Sequence, residues 1–206
     1  MNRQFSVAQL LKKYFDIAFL MGKPQDLPAG QNQLQIAIVL NFVTYVLALL
    51  RFESVGKASL HAAIDIACIA ALFYVGLSVT KQLARFNQAF GAICGANAIL
   101  NLVGLLLFSL TFDKDVATSP QMAQLVFFVL MVWTLSLLAH VLRHTFNLRL
   151  FNSVMAALVY YLFILQLLSF VSPAEIESAA TSAMDNISSD ALVVQDIEII
   201  QLVSSG

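Results

Sequence analysis

Charged residues are scarce in this chain. Asp, Glu, Lys and Arg make up 11% of its 206 residues, less than half the share found in an ordinary water-soluble domain. Apolar residues make up 60%, and the mean hydropathy is +0.83. A soluble fold would need more polar residues than exist here to cover its surface, so the chain is an integral membrane protein. Its few charges nearly cancel, at a net −1, which argues against nucleic acid as a partner. Cysteine is equally sparse. Cys68 and Cys94 both fall inside apolar runs, with no CxxC, so neither a disulfide framework nor a thiolate metal site is expected.

Motifs of chemistry are missing too. There is no GxSxG, no HExxH, no Walker loop and no pair of glutamates on one span, so no catalytic residue, metal or cofactor is assigned and no enzyme activity is expected. A cleavable leader is not expected either. The opening stretch FSVAQLLKKYFDIAFLMG is interrupted by Lys12, Lys13 and Asp16, and it reads as a retained segment.

Long apolar runs are what the chain does have. About 20 mostly apolar residues cross a hydrocarbon core of about 30 Å as a helix. Five stretches meet that test: 34–50, 58–79, 89–112, 121–142 and 150–171, the first with room to extend back to Gln31. Short linkers with charges or turn formers separate them, so neighbouring spans form antiparallel hairpins. The expected architecture is an all-α bundle of five transmembrane helices over 31–172, preceded by a lead over 1–30 and followed by a tail over 173–206.

Orientation follows from Lys and Arg in the flanks. Arg3, Lys12, Lys13, Lys23, Lys81, Arg85, Arg143 and Arg149 lie on one side, against Arg51, Lys57 and Lys114 on the other. This bias places the amino terminus in the cytoplasm, the carboxyl terminus outside, and the chain in an inner (plasma) membrane. The tail carries six acidic residues and no basic one, as a translocated segment should, and its Ser, Ala and Asp content predicts partial disorder. Its end, ALVVQDIEIIQLV, has two alternatives: pairing with a partner as a strand, or lying on the membrane as a short helix.

The lead has another pattern. Val7, Leu10, Leu11, Tyr14 and Ala18 recur at helical spacing, with Lys12, Lys13 and Asp16 mostly off that stripe. This predicts an amphipathic helix over 6–21, capped by Ser6, lying in the interface with its lysines near anionic headgroups. Pro24 and Pro28 then stop it. The helix serves either as a surface anchor or as a dock for a cytoplasmic partner.

Ionisable groups inside a membrane are costly and so become functional candidates. Asp65 lies in the second span, with His61 one turn away on the same face. Counting about 1.5 Å per residue places Asp65 and Asn101 of the third span at one depth, about 20 Å and 18 Å up a 30 Å core. The expected site is therefore Asp65 bonded to Asn101 across the hairpin, with His61 above and Asn97 below. It is read as a polar clamp that sets register, as a proton or solute path, or as a wet interfacial group. Gly91, Gly95 and Ala98 form a small-residue face on the same span, predicting it to be the most buried helix, with internal packing preferred to homodimerisation. His140 and His144 are spaced to share a zinc ion, but a third ligand is wanting, and they read as interfacial histidines beside Arg143. Asn41 and Gln166 are expected to be bundle contacts.

The lead LLKKYFDIAFLMGKPQDLPAG, followed by five closely spaced spans, resembles the bacterial members of the Yip family, whose aspartate–leucine–proline element the QDLP before span one matches. The longer cytoplasmic motif and the glycine–tyrosine–glycine signature of eukaryotic members are absent. The resemblance implies a non-enzymatic membrane adaptor, partnered by the lipid bilayer and another membrane protein. The competing expectation is a small proton- or solute-coupled transporter using Asp65, His61 and Asn101. Against it, spans one and two do not echo four and five, and no span is broken at its centre.

Overall fold

A computed structural model describes residues 7–111 and 120–171, and every regular element in them is helical. Six α-helices run α1 Val7–Ala18, α2 Gln31–Leu49, α3 Val55–Val79, α4 Phe86–Thr111, α5 Pro120–Phe146 and α6 Leu150–Val171, with single 3-10 turns at Pro24–Asp26 and Leu83–Arg85. Helices α2 to α6 each contain a window long and apolar enough to cross a membrane. Their limits match the five expected spans within a few residues, and α2 does begin at Gln31. The acidic tail and the Ser6 cap lie outside the described residues.

Large side chains on the outside of these helices are bare: Val79 is 79% exposed, Leu110 75% and Phe151 74%. On a soluble protein such faces would aggregate, whereas in a bilayer acyl chains cover them. Buried residues form a stripe on each helix instead. On α3 it runs Ala58, His61, Ala62, Asp65, Ile69, Phe73 and Leu77, at three- and four-residue steps. Helix α4 is buried most, as its small residues predict: Ala89 to Ala96 are all inside, enclosed by contacts with α1, α2, α3 and α5. Helix α2 is its main neighbour.

Three helices stop in the same way. Leu20, Lys81 and Asn147 take the left-handed conformation, at φ 63°, 56° and 53°. The residue after each donates its N–H five residues back, to Asp16, Leu77 and Arg143, which satisfies carbonyls at the helix end. Helix α1 therefore ends at Ala18, short of the expected 21, because the chain reverses at Leu20. At the far end of the bundle, Arg51 Nη1 donates to the Phe108 carbonyl at 2.9 Å and the Phe52 ring meets Phe108 edge-on, tying the α2–α3 turn to α4.

Contacts divide the chain within α6. The described residues up to Leu162 form one compact unit and Phe163 begins another. In the first, α6 buries Ser153, Ala157 and Tyr160. In the second, Ser169 Oγ donates to the Gln166 carbonyl at 2.7 Å. The Gln166 side chain, expected to be a bundle contact, is exposed.

Candidate functional site

Of the intramembrane polar residues, Asp65 and His61 are buried and Asn97 and Asn101 half-buried, but they do not form one cluster. Asp65 Oδ1 accepts from the Tyr160 hydroxyl at 3.1 Å, and the same hydroxyl lies 3.3 Å from the Asp65 carbonyl. This joins α3 to α6. Tyr45 of α2, Cys68 and Cys94 lie within electrostatic range of the carboxylate. Among the described residues no Lys, Arg or His pairs with Asp65.

The expected bond between Asp65 and Asn101 is not made. Asn101 Nδ2 donates instead to Asn41 Oδ1 at 3.2 Å and reaches Thr44 Oγ1 at 3.4 Å, joining α4 to α2. Asn41 is 1% exposed and also meets the Cys94 thiol. The Asn101 amide is turned toward α2, a direction that a depth count does not give. Thr44 and Tyr160 were not singled out from the sequence. A depth count would not have paired them, since Tyr160 lies about 15 Å from the Leu150 end of α6 and Asp65 about 21 Å from the Val79 end of α3, more than one helical turn apart.

His61 has its own partner. Its Nδ1 lies 2.8 Å from Glu53 Oε2, a carboxylate of the α2–α3 turn. The pair fixes that turn onto the second turn of α3 and is an ion pair when the imidazole is protonated. Asn97 is half-buried, and its Oδ1 has no hydrogen-bond partner among the described residues. The four expected residues thus divide among separate contacts.

The glycine face of α4 serves two elements inside the chain. A Cβ at Gly95 would overlap the Tyr14 ring of α1, so glycine is what lets that ring lie against the helix. A Cβ at Gly91 would meet Leu34 and Gln33 Nε2 of α2 at ordinary distances, the nearest being Leu34 Cδ1 at 3.7 Å. Ala98 is fully buried. Internal packing uses this face, as expected. Tyr14 is 1% exposed and its hydroxyl accepts from Gln33 Nε2 at 3.2 Å. Burial pushes that phenol above its ordinary value, partly offset by the Gln33 bond.

The segment after α1 is held through its backbone carbonyls. Trp133 Nε1 donates to Ala18 at 2.8 Å, His140 Nε2 meets the Gly22 carbonyl at 2.8 Å, Gln88 donates to Leu27 at 2.8 Å and Asn87 to Ala29 at 3.4 Å. In the QDLP element, Gln25 donates to the His144 carbonyl at 2.6 Å, Asp26 accepts the Lys23 N–H at 3.0 Å and Leu27 is 2% exposed. The motif therefore pins the lead to the ends of α4 and α5. His140 and His144 stack edge to face, 4.6 Å between centroids, in this latch. None of these donors was legible from periodicity.

Comparison with protein families, with curated proteins and with solved structures gives no match.

Proposed function

We propose that this protein is a non-enzymatic membrane adaptor whose α2/α3 groove receives a transmembrane helix of another membrane protein. The groove carries the proposal. It holds about 430 Å³ between the two helices, floored by Ala63, Ala67 and Ala70 and walled by Ile38, Phe42 and Phe90. Ala63 and Ala67, one turn apart, are both exposed. Small residues at that spacing let helix backbones approach closely, which drives association where the surroundings are as apolar as the helices. The interior amides and carboxylates bond across helix pairs, which suits a stiff platform better than a solute path. The Yip-like plan of an amphipathic lead and five spans points the same way. The charge bias sets the lead in the cytoplasm and the acidic tail outside, in an inner membrane.

A photo-crosslinking residue at position 67 tests this in intact membranes, with one at the exposed Val159 of α6 as the comparison. A discrete, stoichiometric protein adduct at 67 alone is expected, and Ala67→Phe should abolish co-purification of that partner. Lipid adducts only, equal at both positions, would sink the proposal.

One observation favours a second reading as a proton-coupled carrier: a carboxylate inside the membrane with a phenol as its bonded partner and no bonded cation among the described residues. Proteoliposome flux that disappears in Asp65→Asn would favour it, because the amide keeps the shape and cannot release a proton.

A further inference from the structure

We infer that α1 is a fixed wedge in one membrane leaflet, and that through it the protein favours membrane curved toward that leaflet. The occupant of its open face is the acyl layer of the leaflet at the end of the bundle flanked by Lys81, Arg85, Arg143 and Arg149.

Three observations support this. First, α1 has 12 residues, about 18 Å, and cannot cross a bilayer. Its polar residues Gln9, Lys12, Lys13 and Asp16 run along one side for its whole length, which sets a helix along the interface rather than through it. Second, its apolar arc is divided. Tyr14, Ile17 and Ala18 are buried at 0–1% exposure, while Leu11, Phe15 and Phe19, four residues apart, stand 47%, 48% and 37% exposed. The ridge reaches α5, where the Phe19 ring meets Trp133 edge-on at 5.0 Å beside the exposed Val132, so the acyl chains that cover that face of α5 cover it too.

Third, the backbone beyond α1 is finished as lipid requires. The N–H groups of residues 19–22 all bond within the turn, and the Ala18 and Gly22 carbonyls take Trp133 and His140. Irregular backbone at membrane depth must be satisfied by protein, because hydrocarbon offers no partner. Along α5, Trp133 lies about 15 Å from Arg143 and His140 about 4.5 Å, so the turn they hold runs from the inner limit of one leaflet at Ala18 up toward the basic end at Gly22. The Gly95 slot and these two donors prevent α1 from leaving the leaflet as an ordinary surface helix can. A helix about 10 Å across is thereby added to one leaflet, with no counterpart in the other among the described residues.

The test uses the full chain, fluorescently labelled, in single vesicles of mixed diameter made with anionic lipid, sorted by orientation with a membrane-impermeant quencher. With the basic end outward, protein density should rise as diameter falls, and with the basic end inward it should fall. Leu11→Ser with Phe15→Ser should flatten both slopes while Trp133 emission stays unchanged, which shows that α1 is still docked. Density independent of diameter, equal slopes in both orientations, or slopes that survive the double variant would each overturn the inference. If Trp133 emission does change, Phe15→Gln alone replaces the double variant and is read in the same way.

Discussion

Gly95→Ala is the smallest change that separates a docked α1 from a loosely lying one. The new methyl would overlap the Tyr14 ring, which cannot retreat because it is 1% exposed. Forcing a methyl into a filled site costs about 1–3 kcal/mol. If the ring leaves instead, its bond to Gln33 is lost, at about 0.6–1.7 kcal/mol for an interhelical bond in a membrane. Gln33 Oε1 already lacks a partner, so the whole amide would then be unsatisfied. Lipid is as apolar as the slot, so no burial term opposes release. The two outcomes are alternatives, so the penalty is about 1–3 kcal/mol, which weakens docking about 5- to 150-fold. The single tryptophan, Trp133, reports it directly, since it bonds Ala18 and meets the Phe19 ring edge-on at 5.0 Å. Expected are a shift in its emission and trypsin cleavage at Lys12 and Lys13. In a double-mutant cycle, adding Tyr14→Ala should remove most of the penalty of the methyl. A Gly95→Ala protein with the emission and trypsin resistance of the parent would refute the reasoning.

Gly91→Ala, in the same motif, should change melting in detergent little, because its nearest neighbour is 3.7 Å away; a loss equal to that of Gly95→Ala would show the two glycines act alike. Asn101→Leu removes the donor to Asn41 and Thr44 and should lower stability by about 0.6–1.7 kcal/mol in denaturant titration. Asp65→Asn should stay within about 1 kcal/mol of the parent, because the amide oxygen still accepts from Tyr160. Tyr160→Phe should cost more than Asp65→Asn, since it leaves the buried carboxylate without its donor.

The spans and their limits were legible because hydropathy over a window measures what the bilayer selects. Which helices touch was not. Rise per residue gave Asp65 and Asn101 a common depth, but azimuth decides partnership, and in a membrane both the lipid side and the bundle side of a helix are apolar. Periodicity therefore could not tell that Tyr14 faces α4 while Phe15 faces outward. The small residues of α4 announced a close approach without naming who approaches: Gly95 admits α1, and Gly91 admits α2. His61 was drawn to Asp65 by i, i+4 spacing, yet the turn before α3 brings Glu53 Oε2 within 2.8 Å of its Nδ1. QDLP was visible as a motif, while its role in pinning the lead rests on partners more than fifty residues away, the accepting His144 carbonyl and the donating Gln88 amide.

The latch on the lead also orders events at the ribosome. Ala18 and Gly22 are separated from Trp133 and His140 by 115 and 118 residues. At a synthesis rate of about 5–20 residues per second, α1 emerges about 6–23 seconds before its partners exist. In that interval its end carbonyls have only water or a chaperone to bond. The segment made early is thus among the last to settle, and a nascent chain arrested before α5 should leave it open to proteases.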